Sequence, residues 1–230
     1  RDKKINVFGN IGGNLADNEN PLNLYRIQND TLYDQRSINV SSNKSVNIKA
    51  GADFFVNNKN TIGVMATTNF SDNEFSSTGS TMIYYNPTAT FIKSLQAYNT
   101  IPGSRTNVNL NLNYRYADTS GREINFDGDY GFFRGVGRSY QPNNYYDNNN
   151  AFWYSVINQN YTPTDIDIYT AKIDVEQKLG KGKFGYGAKT SFVVTKNTFD
   201  FFTNDINGDP VKVLDRSNNF KYTENVNAAY

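Results

Sequence analysis

The 230-residue sequence carries Lys and Arg at 23 against Asp and Glu at 22, so its net charge of +1 offers no field to hold nucleic acid. Cysteine and histidine are both absent, which removes disulfide frameworks, thiolate metal sites, cysteine nucleophiles, the serine triad and most zinc sites together. Hydrophobic residues make up only 37%, yet aromatics reach 15% with 17 Tyr and 16 Phe, so an ordered chain with a polar face along most of its length is expected.

No apolar run approaches the roughly 20 residues of a transmembrane helix, and Arg1-Asp2-Lys3-Lys4 has no signal-peptide core behind it. A membrane barrel remains open, because its strands need only about 9–11 residues each and their alternation cancels in a hydropathy average.

Period-two alternation dominates the chain and places successive side chains on opposite faces of a strand. A first, weaker strand carries Ile5, Val7, Ile11 and Leu15. From Ser45 to Val56, the residues Val46, Ile48, Ala50, Ala52, Phe54 and Val56 share one face, opposite Asn47, Lys49, Gly51 and Asp53. Ile62, Val64, Ala66 and Phe70 then oppose Thr61, Gly63, Thr67 and Asn69. The cleanest stretch, Thr106 to Ala117, sets Val108, Leu110, Leu112, Tyr114 and Tyr116 against Asn107, Asn109, Asn111, Asn113 and Arg115. A helix would scatter those asparagines around its axis.

Further along, Ile124, Phe126, Tyr130 and Phe132 oppose Glu123, Asn125, Asp127 and Asp129. Tyr169, Ala171, Ile173, Val175 and Leu179 oppose Thr170, Lys172, Asp174 and Glu176. Phe184, Tyr186, Ala188, Phe192 and Val194 oppose Gly185, Gly187, Lys189 and Ser191, and Phe220, Tyr222, Val226, Ala228 and Tyr230 close the chain on one side. This predicts about eight main strands in an antiparallel up-and-down meander, each long enough for a barrel wall.

The connections alternate in length. Asn57-Asn58-Lys59-Asn60, Thr119-Ser120-Gly121 and Gly180-Lys181-Gly182-Lys183 are tight and polar, as hairpin turns require. Between them lie long connections near 16–44, 72–105, 134–165 and 197–219, the asymmetry of barrels with short periplasmic turns and long outer loops. Within those, Thr31-Leu32-Tyr33, Thr81 to Tyr85 and Phe91 to Tyr98 are candidates to extend the strands or form small hairpins above the wall.

Few motifs suggest chemistry. Asp205, Asn207 and Asp209 space oxygens around Gly208 as calcium loops do, but the glycine comes early and no Glu follows, which favours an Asn-Gly turn. Glu123, Asp127 and Asp129 share a solvated strand face with no cleft to perturb them, so acid and base catalysis is not expected. Gly135-Val136-Gly137 lacks the following helix of a phosphate loop. Tyr140, Tyr145, Tyr146, Trp153 and Tyr154 cluster amid Asn and Asp, where they either pin down a loop or contact a small ligand, oligosaccharide or peptide. Tyr114, Tyr116, Tyr130, Tyr222 and Tyr230 on apolar faces fit an interfacial girdle at lipid headgroup level.

Several elements together resemble the outer-membrane β-barrel domain of Bacteroidetes proteins related to TonB-dependent receptors. They are Gly51-Ala52-Asp53-Phe54-Phe55 with its turn into Thr61-Ile62-Gly63-Val64, and Asn111 to Tyr116 with its Gly-Arg-Glu hairpin into Phe126-Asp127-Gly128-Asp129-Tyr130. Ala171-Lys172-Ile173-Asp174, Phe184 to Lys189 and the closing Phe220 to Tyr230 are similar too, in the same order. The resemblance implies a Gram-negative outer-membrane protein, not an enzyme, that moves a ligand through a large barrel with energy from the TonB system. Residues 1–230 are then expected to form one unit, an internal barrel fragment without a plug domain, with lipid as partner and no cofactor. The rival expectation is a soluble β-sandwich module that binds carbohydrate or another protein.

Overall fold

The computed structural model describes residues 4–205 and 207–230, and in it the chain is a single antiparallel meander. Its strands are β1 (Ile5–Gln28), β2 (Thr31–Phe55), β3 (Asn60–Tyr85), β4 (Thr90–Ala117), β5 (Glu123–Tyr146), β6 (Phe152–Leu179) and β7 (Gly182–Asn204), followed by the short β8 (Pro210–Lys212) and β9 (Asn218–Ala229). Each of the first seven pairs with its successor, and both β8 and β9 pair with β7. The sheet is not closed, as suits part of a larger outer-membrane barrel.

The expected alternation is present, and the register shows how it lines up. Residues directly opposite one another share a face. The row Val7, Ala52, Val64, Leu112, Gly128, Ala171 therefore runs unbroken across six strands. Rows above and below it, such as Ile48, Thr68, Val108 and Phe54, Ile62, Tyr114, Phe126, Ile173, Ala188, complete an apolar band on one face. Nothing covers this band: Val64 is 51% exposed, Leu112 49% and Phe54 43%. Among the described residues only Ile83 and Phe201 are buried hydrophobics, and no second sheet packs on the first. A sandwich must close its apolar faces on each other; these stay open, as in a wall whose partner is hydrocarbon.

Strand length departs from the sequence reading. Three of the segments expected as long connections, 16–44, 72–105 and 134–165, are paired strand for nearly all their length, and their turns are about as short as those at the other end; 197–219 remains an irregular connection, broken by the short β8 and a 3₁₀ turn at Leu214–Arg216. Gln28 leads to Thr31 through Asn29 and Asp30, and Tyr146 to Phe152 through five residues. At about 3.3 Å per residue, strands of 23 to 28 residues reach roughly 80–90 Å, against an apolar band about 25 Å tall. The asymmetry lies in how far the hairpins project. Polar stretches such as Ser71 to Ser80 continue β3 because the backbone ladder carries them, without alternation in the side chains.

Three turns have one construction. The Oδ1 of Asp118 accepts from Ser120 N and Arg122 N, that of Asp147 from Asn149 N and Ala151 N, and that of Asp205 from Asn207 N and Asp209 N, at 2.8–3.1 Å. The fourth residue of each, Gly121, Asn150 or Gly208, has positive φ, which explains its Gly or Asn. The calcium-like spacing at Asp205, Asn207 and Asp209 thus serves the same turn as two segments that lack it.

Hydrogen bonds from the Ser120 hydroxyl, the Arg122 backbone and the Tyr116 hydroxyl lower the Asp118 carboxyl to about 2. A depressed carboxylate stabilises the turn above its unfolded pKa, near the ordinary 3.8, and that support is lost as pH falls through about 2. Asp118→Ala should accordingly speed amide exchange at Ser120 and Arg122 severalfold, by the same factor at every pH above about 5. Unchanged exchange would remove the carboxylate from the account of this turn.

Candidate functional site

Three zones of the sheet gather side chains with chemical potential. The first is the apolar face. A trough of about 940 Å³ crosses it where small residues, Ala50, Ala66, Gly128 and Ala171, sit among Tyr130, Tyr169 and other large ones. Most of its lining comes from the apolar stripe. It is relief in a greasy wall.

The second zone closes that face at its upper edge. The Tyr130 and Tyr169 rings stack at 4.9 Å, and just beyond them Asp167 accepts from the Tyr130 hydroxyl at 3.0 Å and from Arg134 Nη2 at 2.7 Å. Arg134 also donates to the backbone carbonyls of Phe133 and Ile166 and lies over the Phe132 ring at 5.2 Å. Further along the same face come the Arg134 and Asp165 pair and Lys196, opposite Asp165. Hydrophobic burial ends here and charge begins.

The aromatics expected to form a girdle do not share one face. Tyr114, Tyr116 and Tyr130 lie on the apolar face, in rows with Phe126, Ile124 and Leu110. Tyr222 and Tyr230 lie on the polar face: Tyr222 stands opposite Thr195, and the Tyr230 hydroxyl donates to Asp174 Oδ1 at 2.6 Å. The whole stripe Phe220, Tyr222, Val226, Ala228, Tyr230 is turned this way. Its cause is local. Lys212 pairs with Phe202 and Asn218 with Phe199, so six steps along β8 and β9 match three along β7. An odd excess inverts every later side chain. The excess is a 3₁₀ turn at Leu214–Arg216, anchored by the Ser217 hydroxyl to Phe201 and Val213 and by Arg216 stacked 3.9 Å over the Phe201 ring.

The third zone lies on the polar face near the hairpin tips. Two cross-strand rows meet there, Arg26, Tyr33, Ile83, Lys93 and Leu24, Gln35, Thr81, Leu95, Tyr145, Tyr154. All of these but Tyr154 line a pocket of about 310 Å³. The Tyr145 and Tyr154 rings stack at 4.5 Å and 17°, and Trp153 meets Tyr154 edge-on at 5.0 Å. Burial pushes the Tyr145 phenol up. Lys93 lies over both the Tyr145 and Trp153 rings, and Arg26 over Tyr33. Of the five loop aromatics singled out from sequence, Tyr145, Trp153 and Tyr154 come together. Tyr140 and Tyr146 are on the opposite face, Tyr140 in a row with Thr100 and Tyr146 edge-on to Phe152. Arg26, Tyr33 and Lys93 were not anticipated; the strand-extending segments around Tyr33 and Lys93 were the available signal.

Long, amphipathic, consecutively paired strands with an uncovered apolar band define the wall of a transmembrane β-barrel. The Outer membrane protein beta-barrel family matches residues 115–230, just over half of the sequence, and the chain belongs to that family. It is a protein of the Gram-negative outer membrane. No curated protein matches the sequence. Among solved structures, the ferric-catecholate import receptor Fiu of E. coli K12 is similar at a TM-score of 0.26 and 7% identity, over 100% of this chain and 48% of that one. The chain therefore spans about half the length of that receptor. The β domain of the Bordetella autotransporter BrkA aligns at 0.18 and 8% over 99% of each chain. The E. coli outer membrane protease OmpT aligns at 0.12 and 12%, over 98% of this chain and 96% of that one. Scores this low leave the fold to rest on the strand pairing itself.

Proposed function

We propose that this chain supplies wall and outer hairpins to a receptor that takes up a nutrient ligand across the outer membrane, in the manner of TonB-dependent receptors. The observation that carries this reading is the third zone: an aromatic and cationic pocket held at the hairpin tips, far beyond the apolar band, on the polar face that a barrel turns inward. A simple pore has no need of such a platform at its mouth. In this reading Tyr114, Tyr116 and Tyr130 sit at lipid headgroup level, the Asn, Lys and Asp faces line a hydrated interior, and the hairpin tips capture the ligand first.

The distinguishing measurement is energetic. Cells carrying the protein should accumulate its ligand only while the proton-motive force is intact, and planar bilayers containing the purified protein should show no steady conductance. A persistent open conductance, or uptake that survives a protonophore, would make it a passive pore.

A further inference from the structure

Resting on the receptor reading above, we infer that the rim pocket takes an acidic oligosaccharide, with an acidic group held at Lys93 and sugar rings laid on the aromatic platform. The pocket lining carries two cations, Arg26 and Lys93, and no carboxylate. Among the described residues the ion pairs use Arg36, Arg115, Arg134, Lys172, Lys183 and Lys212, and neither pocket cation takes part in one. Each is instead poised over a ring, with Arg26 4.8 Å from the Tyr33 centroid and Lys93 5.4 Å from Tyr145 and 5.8 Å from Trp153. A cation over an aromatic face keeps its outward hemisphere free for an anion.

Arg26 and Lys93 share one cross-strand row and lie three strands apart, about 14 Å between backbones. Between them lie Tyr33 and Ile83, and Ile83 is one of the two buried hydrophobics among the described residues. A ligand that uses both cations is therefore elongated, with acidic groups spaced along an amphipathic body. Rings with one apolar face suit the floor and the stack of Tyr145 on Tyr154; Trp153, 60% exposed, stands beside Lys93 just outside the lining. An extended peptide would look for a strand edge to pair with; Tyr33 and Ile83, which lie between the cations, are on strands already paired on both sides, and of this row Arg26 alone stands on the open edge strand.

Trp153 is the single tryptophan of the sequence and stands beside Lys93, so its fluorescence reports directly on the site. In the detergent-purified protein, iodide should quench Trp153 severalfold more strongly than caesium at equal ionic strength. Lys93→Gln should bring the two constants close to equality, and Lys93→Arg should restore the preference. Trigalacturonate should then perturb the fluorescence saturably, its methyl ester about tenfold more weakly, and Arg26→Gln and Lys93→Gln should each weaken trigalacturonate about tenfold. Equal quenching by the two ions, equal or absent binding of the acid and its ester, or preference for an acidic peptide of matched charge would each overturn the assignment. The uptake and conductance measurements are independent of these, so failure here would change the ligand class and leave the receptor reading standing.

Discussion

Leu112→Arg is expected to cripple insertion of the protein into bilayers, while Asn111→Arg, one residue away, leaves it nearly intact. Leu112 stands in the row Val64, Leu112, Gly128 at the middle of the apolar band, half exposed with nothing but lipid to meet it. Arginine at the bilayer midplane of a barrel costs about 2–4 kcal/mol, roughly 30-fold to several hundredfold in the folding equilibrium. Asn111 points the other way, where its Nδ2 donates to Asp129 Oδ1 at 2.8 Å and its Oδ1 accepts from Asn113 at 3.1 Å. An arginine there meets water and a carboxylate. Folding into vesicles titrated with urea and followed by gel mobility compares the two. Equal losses, or a tolerated Leu112→Arg, would mean that the uncovered face does not look into lipid.

The second large effect concerns β9. With an odd excess ahead of it, Val226→Cys should react with a membrane-impermeant maleimide in the reconstituted protein and Asn225→Cys should be shielded. Deleting Asp215 from the 3₁₀ turn makes the excess even, places Val226 opposite Phe192, and should exchange the two labelling patterns. Because strand side chains alternate strictly, no intermediate outcome is available to a regular strand. Shielding of Val226→Cys in the undeleted protein would show that β9 pairs with β7 in the other register, with its aromatic stripe on the lipid face alongside Tyr114 and Tyr130.

The anchoring of that turn explains why the inverted register holds together. Ser217 satisfies the Phe201 amide and Arg216 covers the Phe201 ring, so the extra residues are bonded to β7. Gly187 completes the fit at the far end of the strand, where a Cβ would come within 2.8 Å of the Tyr230 ring.

Much of the wall was legible in the residues alone. Alternation in segments such as Thr106 to Ala117 fixes which side chains share a face, because a strand permits only two directions. Asp118, Ser120 and Gly121 announce a turn because a short carboxylate and a residue tolerant of positive φ are what its backbone requires. Two readings went astray where the controlling interaction is not local. The polar stretches taken for loops are held as strand by the ladder of a neighbouring chain segment, which leaves no alternating mark on Ser71 to Ser80. The closing stripe has a sound periodicity of its own that points to the apolar face; its actual facing depends on the parity of residues inserted before it.

Sequence by itself thus determined the strands of the wall, their two faces and the tight turns, all consequences of the two-residue repeat and of backbone conformations that few side chains tolerate. Tertiary structure alone decided which face β9 presents and that Arg26, Tyr33, Lys93 and Tyr145 share one pocket, since register is a relation between segments and those residues, up to 119 positions apart, become neighbours only through successive antiparallel pairings.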